Sequence, residues 1–180
     1  MTNAAVPTSV ARSSQIQVFR RAEAPTLEAS GVMAMAPMSP AVEAGIEAFI
    51  REEEGLGHIS TVLVNLPGFS LVHLWFKSGY PLPVHSHETD CLYHVVAGSL
   101  DMGSTRLEAG DSFFVPANAN YGYTAGEEGV EVLEFRHVTH FEMRIPGDRS
   151  APWDRAVEIL RARREGWREE PRPQARGEAG

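Results

Sequence analysis

With 180 residues, 43% of them apolar and 22% charged, the chain has material for one globular domain with a sizeable core and too little for two. A formal net charge of −8 with a single lysine, Lys77, argues against nucleic acid, which needs clustered Lys and Arg on one surface. One cysteine, Cys91, excludes an internal disulfide framework, and no run approaches the roughly 18 to 20 apolar residues that cross a bilayer.

Residues 1–38 mix Ala, Ser, Thr, Pro and Arg without clear period and read as a partly ordered N-terminal arm. The start has neither the basic head nor the apolar core of a signal peptide, so a cytoplasmic protein is expected. Within the arm Ile16 to Phe19 forms a candidate β segment, and Met33 to Met38 is too apolar for a free tail. Ser39-Pro40 then opens a helix predicted over 39–55: Ser is a good N-cap and Pro is tolerated at the first helical position. Val42, Ile46, Phe49 and Ile50 make its apolar stripe, and Gly55 its stop.

Over 56–146 the texture changes to short β-branched and aromatic runs separated by turn residues. Strands are predicted near 60–65, 70–77, 91–97, 99–102, 105–108, 112–115, 121–124 and 130–141, with Ala97-Gly98 and Gly126 among the breaks. So many short strands without helical period indicate an all-β sandwich or barrel. A C-terminal helix is predicted over 147–170, with Trp153, Val157, Leu160 and Trp167 close to one face. Its Arg and Glu residues alternate, as a solvated face does, and 171–180 reads as a flexible tail.

The chemistry concentrates between Gly79 and Gly98. His85 and His87 stand two apart on an extended segment, so both imidazoles point to one side, and imidazole is a common ligand for Zn, Cu, Fe and Ni. The spacing Gly79, His85, His87, Cys91, Gly98 resembles the first cupin motif, G-x5-H-x-H-x3-E-x6-G. Downstream, Gly110-Asp111 and Pro116, followed by Tyr121, resemble the second, G-x5-P-x-G-x2-H. The resemblance spans 79–121 by motif and roughly 59–145 by strand pattern. It implies a double-stranded β-helix, or jelly-roll barrel, flanked here by a short N-terminal and a C-terminal helix. It also implies a metal at the barrel mouth, in the family usually held by three His and one Glu.

This sequence departs from that set. Cys91 stands at the Glu position and Tyr121 at the second-motif His position. The expected ligands are therefore His85 and His87, with Tyr121 and Cys91 as candidate third ligands and His137 as a replacement imidazole to test. The bland alternative is a decayed site in which Cys91 packs as a small hydrophobe and Tyr121 walls a pocket. Tyr93 shares a strand face with Cys91 and is the candidate catalytic proton donor; His94, of opposite parity, should face away. His73, His137 and His140 fall on predicted strands where parity does not choose a face.

The resemblance implies a metal-dependent enzyme acting on a small organic substrate in the barrel mouth, with Fe(II) favoured and Zn, Mn or Ni as alternatives. Dioxygenase chemistry is its commonest version, and lyase, isomerase or cyclase action the next. The competing class is a metal-free, non-catalytic binder of small molecules. Phe113, Phe114, Tyr121 and Tyr123 suit an apolar or aromatic substrate, while the apolar runs at Met33 to Met38 and Leu71 to Phe76 predict a homodimer.

Overall fold

The structure, a computed structural model, describes residues 15–174, so the outer parts of the expected arm and tail lie outside the described residues. The chain order is a 3-10 turn (Arg21–Glu23), α1 (Leu27–Ser30), β1 (Met33–Met35), α2 (Pro40–Glu53), β2 (His58–Leu66), β3 (Phe69–Phe76), β4 (Pro81–His87), β5 (Cys91–Met102), β6 (Thr105–Glu108), β7 (Ser112–Val115), β8 (Tyr121–Arg136), β9 (Phe141–Arg144) and α3 (Ala151–Trp167). Ser39 caps α2, its Oγ accepting from Val42 N at 3.3 Å. Among the described residues no helix is long and apolar enough to cross a membrane. The candidate β segment from Ile16 to Phe19 carries no regular structure.

The strands curl into one barrel. Along one path they run β1-β9-β4-β8-β3-β2, while β5 pairs with β6, β7 and β8. The pairing is antiparallel except for β1 on β9. Strands β5 and β8 are longer than expected because the turn signals at Gly98 and Gly126 mark close backbone approach instead. Gly98 sits at φ 70° beside a β5/β8 register shift, and a Cβ there would stand 2.1 Å from Gly129 O. At Gly126 a Cβ would meet Ser99 Oγ at 2.1 Å.

At the other end β8 stops at Arg136, and β9 begins only at Phe141. His137 and His140, expected on a strand, lie in the intervening bend and are exposed. The single long strand read there is two strands: the last residues of β8, Val130 to Arg136, lie between β3 and β5, whereas β9 pairs with β1 and β4.

Register separates the faces. Val62, Val72, Glu134 and Tyr93 stand side by side across β2, β3, β8 and β5, all of them buried. The neighbouring row, Thr61, His73, Leu133 and His94, therefore faces outward. One part of the barrel is filled by rings: Phe49, Phe76, Tyr80, Trp153 and Trp167 form a contact chain extended by Tyr123 to Phe113 and Tyr93. Helix α2 crosses α3 at Gly45, where a Cβ would come within 2.3 Å of the Trp153 ring. Its buried stripe is thus Val42, Gly45 and Phe49, leaving Ile50 61% exposed.

The apolar runs behind the dimer expectation are largely covered by their own chain. Met33 and Met38 pack on the core, and Trp75 lies under the Lys77 ammonium and the Arg172 guanidinium. An apolar row does run along the outer face through Phe114, Leu92, Phe135 and Leu71, register partners across β7, β5, β8 and β3, of which Phe114 and Leu92 are exposed and Phe135 and Leu71 half-buried.

Candidate functional site

Strand β4 carries the histidine pair where it leaves one partner for another. Up to His85 it pairs with β8, and from Ser86 it pairs with β9. A register shift between Leu82 and His85 re-aims the segment, and His85 becomes the register partner of Tyr121. His85, Ser86 and His87 are all buried.

Each imidazole is anchored through Nδ1. His85 Nδ1 donates to Pro83 O at 2.8 Å and His87 Nδ1 donates to Glu142 O at 2.9 Å. A carbonyl only accepts, so both Nδ1 atoms carry the proton and both Nε2 atoms carry the lone pair. The rings lie 5.0 Å apart, centroid to centroid, at 79°. Burial pulls the His85 pKa down, and burial followed by the nearby Arg136 charge pulls that of His87 to about 4. The pair is neutral at ordinary pH.

From His85 a hydrogen-bonded chain runs through the barrel with one direction. Tyr121 Oη donates to His85 Nε2 at 2.8 Å, because that nitrogen has only a lone pair to offer. Tyr121 Oη in turn accepts from the Tyr93 hydroxyl, and Tyr93 Oη accepts from Arg136 Nη2 at 3.3 Å. Arg136 Nη1 donates to Glu134 Oε2 at 2.5 Å. Burial raises the pKa values of both phenols, so they remain protonated. Phe141 links the two ends: its face lies 4.0 Å from the Arg136 guanidinium, and its ring meets that of His87 edge-on at 5.2 Å.

The structure thus brings together His85, His87, Tyr121 and Tyr93. Cys91 is 1% exposed and faces the same interior, but burial, then Glu134, pushes its thiol up to about 12. Among the described residues no three of His, Cys, Asp and Glu are placed to hold one ion, so Cys91 does not complete a set with the two imidazoles. His137 is exposed in the bend after β8 and cannot serve as the replacement imidazole. His73 faces the outer surface of the barrel and holds Glu131 at 2.9 Å. His94 also faces outward, with Ser112 Oγ at 2.9 Å from its Nδ1.

Sequence reasoning missed Glu134 and Arg136. Both charges stand on the face of β8 that Val130 and Val132 already commit to the core, and that parity was the available signal. The polar Glu131 hid it, since Glu131 lies on the outer face, where it meets His73.

The donors suit a divalent transition metal as far as they go. Two neutral imidazoles 5.0 Å apart, each with Nδ1 tied to a backbone carbonyl, are held in the way metal-binding His residues usually are. The nearest further donor is the Tyr121 oxygen, already in contact with His85. The space is tight: His85, His87 and Tyr121 are 6%, 5% and 8% exposed. A groove of about 550 Å³ lies beside β4, lined by Leu82, Val84, Ile145, Trp153 and Ile159, and includes neither imidazole.

No protein-family model matches the sequence, and neither does any curated protein. Solved structures do. KdgF from Halomonas sp. is 26% identical over 45% of this chain and 79% of its own, with a TM-score of 0.43. An RmlC-like cupin from Shewanella frigidimarina is 27% identical over 44% and 75%, with a TM-score of 0.41. The polyketide cyclase RemF from Streptomyces resistomycificus is 12% identical but aligns over 83% of this chain and 99% of its own, with a TM-score of 0.54. At that identity the likeness concerns the fold, and it agrees with the barrel built strand by strand above. The chain folds as a cupin.

Proposed function

We propose that this cupin is a metal-dependent enzyme acting on a small organic molecule inside the barrel, with His85 and His87 as the metal ligands and Tyr121 as the third donor. The observation that carries the reading is the anchoring of both buried imidazoles through Nδ1, their centroids 5.0 Å apart, which keeps Nε2 of each as the nitrogen that would bind a metal. A divalent transition metal bound there would act as a Lewis acid toward a substrate oxygen. The remaining work falls to the chain of hydroxyls. Tyr121 holds a proton at Oη, 2.8 Å from His85 Nε2, and Tyr93 can resupply it from the other side.

A proton path of this kind supports lyase, isomerase or cyclase chemistry over the dioxygenase expected from the family resemblance, for which the site offers no observation of its own. The metal-free reading, in which the barrel only binds its ligand, draws on one specific contact. The Tyr121 hydroxyl already fills the lone pair of His85 that a metal would need.

Chelator competition on untagged protein separates the two. The reading expects about one Zn(II), Mn(II) or Fe(II) per chain, with His85→Ala and His87→Ala each losing stoichiometric binding while the far-ultraviolet circular dichroism stays unchanged. Full occupancy in the double variant, or none in the parent, would contradict it.

A further inference from the structure

We infer that the molecule taken by this site is a small organic anion, and that its carboxylate or enolate oxygens are received by the Nε–Nη2 edge of Arg136. The inference rests on the proposal above only in taking the barrel interior as the substrate site. The same carboxylate or enolate chemistry could belong to many metabolites, and the geometry selects the class, not the compound.

Arg136 is 2% exposed, and a guanidinium does not lose its charge at any ordinary pH. Its five N–H donors are unevenly used. Nη1 donates to Glu134 Oε2, and Nη2 reaches Tyr93 Oη only at 3.3 Å, beyond the usual range for such bonds. Nε, which is buried, has no hydrogen-bond partner among the described residues. Nε and Nη2 form one edge of the planar fork, with N–H bonds nearly parallel and spaced to fit the two oxygens of a carboxylate. The internal carboxylate, Glu134, takes the far corner and leaves Nε on that edge buried without a partner among the described residues. Buried donors are normally satisfied, so an orphan on a permanently charged group in the polar interior calls for a partner.

The edge lies where a substrate would be useful. It adjoins Tyr93, whose hydroxyl meets Tyr121, which in turn meets His85. The guanidinium also rests on Phe141, which touches His87. An anion held at the edge therefore stands beside the hydroxyl chain, on the same guanidinium that rests on Phe141 and so close to His87. The low exposure of the surrounding side chains restricts the site to small molecules.

The experiment uses the full chain after dialysis against EDTA, titrated with acetate and benzoate, and with acetamide and benzamide as uncharged controls. Binding is followed by calorimetry and by NMR shifts of the tyrosine ring signals. At least one of the two anions should bind, and at least about tenfold more tightly than its amide. Glu134→Gln, which removes the competing internal carboxylate, should tighten that binding severalfold. The double variant Arg136→Met/Glu134→Gln, which leaves no lone buried charge, should lose it, and Arg136→Lys should retain a weakened part. His85→Ala/His87→Ala should still bind the anion, so the result does not depend on whether a metal is ever held. The inference is overturned if neither anion binds the metal-free chain, or if the folded double variant binds them as well as the parent does.

Discussion

The Tyr121 phenol oxygen stands 2.8 Å from Nε2 of His85, and the two residues are register partners across β8 and β4. A single backbone pairing thus brings the histidine pair to the slot where this sequence carries Tyr in place of a second-motif His. The same hydroxyl is both the candidate third donor and the link to Tyr93 and Arg136.

Tyr121→Phe separates those roles. His85 keeps its tautomer, because Pro83 O still accepts from Nδ1. Metal affinity is expected to fall about 10- to 100-fold, the range for losing a supporting group at a metal site, and protein loaded with ferric iron should lose a visible phenolate charge-transfer band. Unchanged affinity in a chelator titration would remove Tyr121 from the ligand set.

Cys91 should be chemically silent. With its thiol pushed up to about 12 by burial, the thiolate is on the order of one part in 10,000 at pH 8. Alkylation by iodoacetamide, followed by mass spectrometry, is expected to run at least about 100-fold slower in the folded protein than in denaturant. Cys91→Ser should leave metal affinity unaltered. Rapid labelling of the native chain would show that the thiol is neither buried nor neutral.

A separate cluster is expected to make stability fall as pH rises. His58 on β2 lies 2.5 Å from Glu53 Oε1 of α2 and 3.7 Å from Glu28 Oε1 of α1, with Tyr80 Oη 3.4 Å away. Burial opposes its charge, but the two carboxylates outweigh burial and raise its pKa to about 9 from an ordinary 6.5. A raised folded pKa means that the folded state holds the proton more tightly. The stabilisation is therefore complete below about 6.5 and is lost as pH rises through about 9. Urea midpoints should fall across that window in the parent and stay flat in His58→Gln; parallel profiles would refute the coupling.

Self-association is expected through the outer face of the sheet. Phe114, Leu92, Phe135 and Leu71 run across four neighbouring strands, a row about 15 Å long at the usual strand spacing, with Phe114 60% and Leu92 45% exposed. Such a row matches a second copy of itself about a two-fold axis. Light scattering should give twice the 19.7 kDa chain mass, and Phe114→Glu should give the single chain. A monomeric parent at micromolar concentration would contradict this.

The barrel and half of the site could be read from the sequence because each depends on local spacing. The i, i+2 pair at His85 and His87 needs only an extended backbone, and Tyr93 needs only its parity with Cys91. Glu134 and Arg136 depended on the parity of β8, which the polar Glu131 on the outer face obscured, while the full lengths of β5 and β8 depended on not reading Gly98 and Gly126 as breaks. Those glycines relieve contacts between strands distant in sequence, and no local signal separates that use from a turn. His137 failed as a ligand candidate for a similar reason: β8 stops one residue before it, when the chain bends to hand over to β9.

X-ray absorption at the metal edge of reconstituted, untagged protein reads out whether His85 and His87 ligate the ion. About one ion per chain is expected, with two imidazole nitrogens at roughly 2.0 to 2.1 Å and oxygen in the remaining positions, and the imidazole scattering should be lost in His85→Ala/His87→Ala. A spectrum of oxygen neighbours alone, or one that the double variant leaves unchanged, would contradict it.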